Sequence, residues 1–186
     1  RDSLKLERKM KHHLVLSGIG PDKPGIAREI SAAAFESGLS LEDSRMAVLG
    51  GEFAILVLLA GDKRGLDGFS GRLASLEKAT GLSLTVKSTV SRPEQRVEKG
   101  APVKISVVGM DRTGIVFRVT NLLIHHGINI DNLETTARNA PATGSPMFHL
   151  ELTAVVPAAV SLRGLREELA NLCDELNLDF SLEALG

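Results

Sequence analysis

The sequence predicts an α+β protein made of two copies of one unit, each running strand, helix, strand, strand, helix, strand (βαββαβ), with antiparallel sheets carrying their helices on one face. Three observations lead there. First, Gly20-Pro21-Asp22-Lys23-Pro24-Gly25-Ile26 returns as Gly109-Met110-Asp111-Arg112-Thr113-Gly114-Ile115, a shift of 89 residues (20 to 109). Internal repetition of this kind is the mark of a duplicated supersecondary unit. Second, two apolar stripes with helical spacing recur in matching register. Third, the segments between them alternate with a period of two.

The first helix of each copy shows in Ile26, Ile30, Ala33 and Ala34, matched by Ile115, Val119, Leu122 and Leu123. Steps of i, i+4, i+7 and i+8 line one face of a helix. Leu66, Phe69, Leu73 and Leu76 predict the second helix and match Leu162, Leu165, Leu169 and Leu172, now at a shift of 96 (66 to 162) because the second copy has a longer hairpin. Strands are expected where Val103, Ile105 and Val107 alternate with Lys104 and Ser106, and where Phe148, Leu150 and Leu152 alternate with polar residues, because alternate side chains of a strand face opposite ways. Gly50-Gly51 between two apolar runs predicts a tight hairpin turn, and 139–146 predicts its longer Pro/Gly counterpart. Strands over 82–90 and 178–185 close the copies. This order is the split βαβ arrangement, whose right-handed crossovers put both helices on one face and leave the other face open.

The expected organisation is a flexible or cloning-derived arm at 1–11, domains at 12–90 and 103–186, and a charged linker at 91–102 bracketed by Arg92-Pro93 and Gly100-Ala101-Pro102. Composition narrows the function. Net charge is −1, hydrophobic residues make up 43 % and charged residues 24 %, and Trp and Tyr are absent. A near-neutral chain lacks a general attraction for phosphate backbones, and base stacking would fall to six Phe, so direct nucleic-acid binding is disfavoured. The five basic residues within 1–11, set against two acids, read as a solvated arm. No apolar run reaches the ~20 residues that span a bilayer, so no membrane association is expected. A single cysteine, Cys173, suits a reducing, cytoplasmic setting. His12-His13 and His125-His126 diverge from each other on any strand or helix, and with no Cys at ligand spacing they predict no metal site. No cofactor motif and no catalytic constellation is present.

The repeated Gly-x-Asp-x-x-Gly loop is the candidate binding element. It ends the first strand and opens the first helix of each copy. Gly25 and Gly114 let the backbone approach a small molecule. Free N–H groups at the helix start favour a carboxylate. Asp22 and Asp111 suit a helix cap, and their carboxylates suit a ligand ammonium. Together these groups match an α-amino acid zwitterion. A capped turn without a ligand is the alternative for the same residues.

Gly-x-Asp-[Lys/Arg]-x-Gly-Ile, followed a helix later by Gly38-Leu39-Ser40-Leu41 and Gly127-Ile128-Asn129-Ile130, resembles the ACT domain signature in both halves. The stretch from Leu41 to Phe53 resembles the glycine cleavage system transcriptional repressor family, and the likeness runs from about His12 to Ala184. The resemblance implies two ferredoxin-like ACT domains in tandem and amino acids bound where neighbouring ACT domains meet. Ligand contacts then fall on the first loop and the start of the second strand: Gly20, Asp22, Gly25 and Ser40 in one copy, Gly109, Asp111, Gly114 and Asn129 in the other. The Asn129-Ile130 pair keeps the amide used in such domains, whereas Ser40 departs from it, so the copies are not equivalent as sites.

The expected function is non-catalytic: an amino-acid sensor, with glycine or serine as ligand, that acts on glycine cleavage genes through a protein partner such as a DNA-binding activator. A homodimer is expected. A stand-alone regulator of an amino-acid or folate enzyme is the alternative. RNA binding on an open sheet face would need aromatics there, and Phe53 and Phe148 sit in core-like runs.

Overall fold

The computed structural model describes residues 11–90, 100–110, 112–139 and 144–185. The chain divides into two compact units, 1–93 and 94–186. The expected arm at 1–11 lies outside the described residues except for Lys11.

In the first unit, β1 (His12–Pro21), α1 (Ile26–Glu36), β2 (Ser40–Leu49), β3 (Glu52–Gly61), α2 (Lys63–Ser70), α3 (Leu73–Thr80) and β4 (Ser83–Thr89) follow one another. The second unit repeats the plan with β5 (Gly100–Met110), α4 (Ile115–His125), β6 (Asn129–Asn139), β7 (Pro146–Pro157), α5 (Leu162–Leu176) and β8 (Leu178–Ala184). Each unit has a four-stranded antiparallel sheet, in the orders β2-β3-β1-β4 and β6-β7-β5-β8. The fold is thus α+β and ferredoxin-like in both halves. Gly50-Gly51 is the turn between β2 and β3.

Alternation decides which strand face meets the helices. Leu14 and Leu16 of β1 and Ile55, Val57 and Leu59 of β3 are buried against α1, α2 and α3 with Ile30, Phe69 and Leu76. In the second unit Val103, Ile105, Val107, Leu150 and Leu152 are buried with Val119, Leu165 and Leu169. Phe53 and Phe148 face the helices too, since they pair with Gly20 and Gly109. Among the described residues, no Phe stands on the helix-free face of either sheet.

Three expectations need correction. The helix expected across Leu66 to Leu76 is two helices, α2 and α3, in the first copy. Its chain tightens at Gly71 and Arg72, where Arg72 N–H bonds the Phe69 carbonyl at 3.0 Å, and α3 restarts as Leu76 N–H bonds the Arg72 carbonyl at 3.0 Å. Gly65, Gly68 and Gly71 weaken helix propensity there, while α5 has only Gly164. The apolar spacing survives because Leu66, Phe69 and Leu76 all still turn inward. Second, the linker is shorter than 91–102, because β5 takes in Gly100–Pro102. Third, Asp22 is not the cap of α1: Gly25 is, with φ of 95° and no side-chain cap bond.

A feature not foreseen is a β-bulge in the second strand of each unit, between Leu41 and Asp43 and between Ile130 and Asn132. The extra residues, Glu42 and Asp131, correspond in the repeat. A bulge re-aims the strand beyond it. Glu42 here reaches buried His13, Oε2 to Nε2 at 3.1 Å.

Candidate ligand-binding site

The loop between β1 and α1 is shaped by Gly25, at φ 95°, and its repeat Gly114 takes the same value. Side chains with a Cβ are strained in that region, so the position demands glycine. A Cβ at either would meet nothing within 4 Å, so both turns face open space. Just beyond, the free N–H groups of the first turn of α1 and α4 carry the positive end of the helix dipole. Asp22 is exposed, and its backbone N–H bonds the Gly51 carbonyl at 3.2 Å, tying this loop to the β2–β3 turn. Asp111 lies outside the described residues. Gly20 and Gly109 also permit a close backbone approach. Their missing side chains leave room for the backbone at Gly81–Leu82 and at Asn177–Leu178.

Ser40 and Asn129 are exposed and begin β2 and β6. Register places them far from the loop of their own unit. Ser40 pairs with Ala60 and Ala60 with His13, seven residues before Gly20. Asn129 pairs with Val155 and Val155 with Pro102, seven residues before Gly109. Seven strand residues span about 24 Å. One small zwitterion therefore cannot touch the loop and the strand start of the same unit.

Comparison with known proteins bears on what this architecture is. Residues 12–87 match the family model described as the ACT domain, and the second unit repeats the same elements in the same strand order. The chain resembles a tandem ACT-domain protein. It is 29 % identical over 176 residues, 95 % of this chain and 92 % of the relative, to the glycine cleavage system transcriptional repressor of Escherichia coli (strain K12). A crystal structure of an unknown protein from Galdieria sulphuraria aligns with a TM-score of 0.74 at 27 % identity, covering 95 % of this chain and 99 % of that one. Another crystal structure, provisionally described as a glycine cleavage system transcriptional repressor, aligns with a TM-score of 0.68 at 27 % identity over 95 % and 98 % of the two chains.

The second unit holds a groove of about 500 Å³ between α4 and the start of β6. Phe117, Thr120, Asn121 and Ile124 line it from the helix, with steps of i, i+3, i+4 and i+7, and Gly127 to Ile130 line it from the strand side. Asn129 thus borders this open groove. Asn121 was not singled out from the sequence, because an isolated amide on a helix carries no motif. Its repeat-related position (121 to 32) holds Ala32, and that of Asn129 holds Ser40. The Thr120 hydroxyl donates to the Val116 carbonyl at 2.8 Å, which leaves it only acceptor capacity toward a ligand. The two amides are the groove's polar groups able both to donate and to accept.

Several other titratable residues read as structural. His126 Nε2 meets Glu168 Oε2 at 3.1 Å, and Arg118 meets Glu175 at 2.6 Å, both joining α4 to α5. Cys173 is buried. Among the described residues, no group of three or more His, Cys, Asp or Glu is placed to hold a metal ion, and no helix is long and apolar enough to cross a membrane.

Proposed function

We propose that this chain is a cytoplasmic, non-catalytic regulator that senses a small α-amino acid, with glycine and serine as the first candidates. Its output passes to a protein partner, a DNA-binding activator of glycine cleavage genes, and a homodimer is its working form. The observation that carries this reading is the likeness over 95 % of the chain to a glycine cleavage system transcriptional repressor. The duplicated loops support it chemically. The helix starts beyond Gly25 and Gly114 offer N–H groups to a carboxylate, and Asp22 and Asp111 offer carboxylates to an ammonium. Gly20 and Gly109 hold those loops against the neighbouring turns.

Because the loop and the strand start of one domain are about 24 Å apart, a ligand that uses both takes them from two different ACT domains. Ser40 and Asn129 are then the contacts from the second of these, and Asn121 joins Asn129 through the groove they share. Such a ligand changes the protein only by binding one arrangement of domains better than another. A net charge of −1 and helix-free faces without Phe favour a protein partner over nucleic acid.

Calorimetric titration with a panel of amino acids tests the reading. Glycine or serine is expected to bind the parent and to bind Asp111→Ala and Asn129→Ala at least tenfold more weakly. If no amino acid binds or raises the melting temperature, sensing is excluded. If one binds both variants as tightly as the parent, only the site assignment falls.

A further inference from the structure

The helix-free faces of the two sheets have diverged. In the first unit, β1 and β3 turn Val15, Ile19, Ala54, Leu56 and Leu58 to this face, each paired across strands with another residue of the face. Leu56 is 48 % exposed and Ile19 is 56 % exposed. In the second unit four of the five matching positions hold charged or polar groups, while Val108 stands for Ile19 (19 to 108). Lys104 stands for Val15 (15 to 104), and β7 presents Thr153, Glu151 and His149 on its outward side. Lys104 and Glu151 form an ion pair at 3.1 Å. The second face is built for water. The first is an apolar surface of contiguous strands, which marks an interaction site.

The charges at its margins point to the occupant. One row of cross-strand partners runs Asp43, Leu58, Val15, Lys87, from β2 across β3 and β1 to β4. It carries at one end an acid, Asp43, which Arg45 of the same strand already pairs, so that the row's Lys87 must compete for it, a base at the other end and two apolar residues between. Lys87 has no ion-pair partner among the described residues. Consider a two-fold axis parallel to the strands and lying between two such faces. It sets each row over the same row of a second copy, reversed end to end. Asp43 then faces Lys87 of the other copy, and Leu58 faces Val15. In the next row Leu56 lies over Ser17 and Arg45 over Thr85, so no like charges oppose each other. Face-to-face sheets pack about 10 Å apart, a gap these side chains fill.

We propose that the helix-free sheet face of the first unit is a homodimer interface, packed against the same face of a second copy with Asp43 and Lys87 in reciprocal pairs. This specifies the surface for the dimer named above and does not depend on amino-acid binding. An isologous contact of this kind needs a self-complementary patch, which this face supplies and the second unit's face does not.

Sedimentation equilibrium of the full chain tests it. The parent is expected to dimerise, Leu56→Glu to raise the dimer dissociation constant at least tenfold, and Lys87→Asp to weaken it. Adding Asp43→Lys to Lys87→Asp is expected to recover association, because the exchanged charges again oppose each other. Circular dichroism checks that the variants fold; should Leu56→Glu not, Ile19→Ser takes its place. A parent that stays monomeric at 100-fold dilution and at high concentration alike overturns the proposal. So does a dimer that Leu56→Glu and Lys87→Asp leave intact. If the dimer persists and only amino-acid binding changes, the interface is wrong while the sensing function stands.

Discussion

Gly20 and Gly81 stand backbone against backbone. A Cβ built on Gly20 would lie 2.6 Å from the Gly81 carbonyl oxygen and 3.0 Å from the Leu82 Cα. Neither atom belongs to a flexible side-chain end, so the strand and the turn must separate to admit a methyl group. Gly20→Ala is therefore expected to destabilise the protein by about 1–3 kcal/mol. Urea denaturation followed by circular dichroism measures this. An unchanged midpoint would mean that the close approach is not structural.

Gly68 gives the opposite expectation. It lies inside α2, and a Cβ there would meet nothing within 4 Å. Alanine loses less backbone entropy on folding than glycine, so Gly68→Ala is expected to stabilise by about 0.5–1 kcal/mol. A rise in the melting temperature checks it, and a fall would show that the helix needs its flexibility.

The duplication, the strands and the core were legible because each rests on a period: Leu14, Leu16, Val103 and Ile105 alternate, while Ile26, Ile30, Ile115 and Val119 recur at helical steps, and all are buried. The break between α2 and α3 was not legible for the same reason, since Leu66, Phe69 and Leu76 keep their spacing across it. The site was readable only in part. The glycines at 25 and 114 announce a turn, but the distance from that turn to Ser40 or Asn129 depends on strand register, which pairs residues far apart in sequence. Asn121 joins Asn129 only once α4 is laid against β6, and the bulges at Glu42 and Asp131 interrupt an alternation too polar to show them.

Cys173 links stability to pH. The side chain is 1 % exposed, and burial pushes its thiol up to about 11, with Asp174 and Asp179 adding to the shift. The folded state then holds the proton more firmly than the unfolded state. Between the unfolded value of about 8.5–9 and the folded one the native chain binds more protons, so its stability falls as pH rises through that range. The fall attributable to this group is about 2–3 kcal/mol across that range. Comparing urea midpoints at pH 8 and pH 10.5 for the parent and Cys173→Ala isolates it. An equal decline in both proteins would assign the effect to other groups. The native thiol is also expected to resist a disulfide reagent at pH 8 until denaturant is added.

Asn177 ends α5 with φ of 53°, the one residue other than glycine with positive φ among those described. Its repeat-related position (177 to 81) is Gly81, which closes α3 at φ 79°. Both residue types tolerate the left-handed conformation that terminates a helix, glycine because it has no Cβ and asparagine through local hydrogen bonding. The Asn177 N–H bonds the Asp174 carbonyl at 3.1 Å, so the turn is held by backbone. The shape of this corner, not the amide group, is then what the fold requires. Asn177→Gly is expected to change stability by less than about 0.5 kcal/mol, and Asn177→Val to cost about 1–2 kcal/mol, since a β-branched side chain meets the full left-handed penalty. Denaturation midpoints of the two variants decide it. If glycine is as damaging as valine, the Asn177 side chain has a contact that conformation alone does not explain.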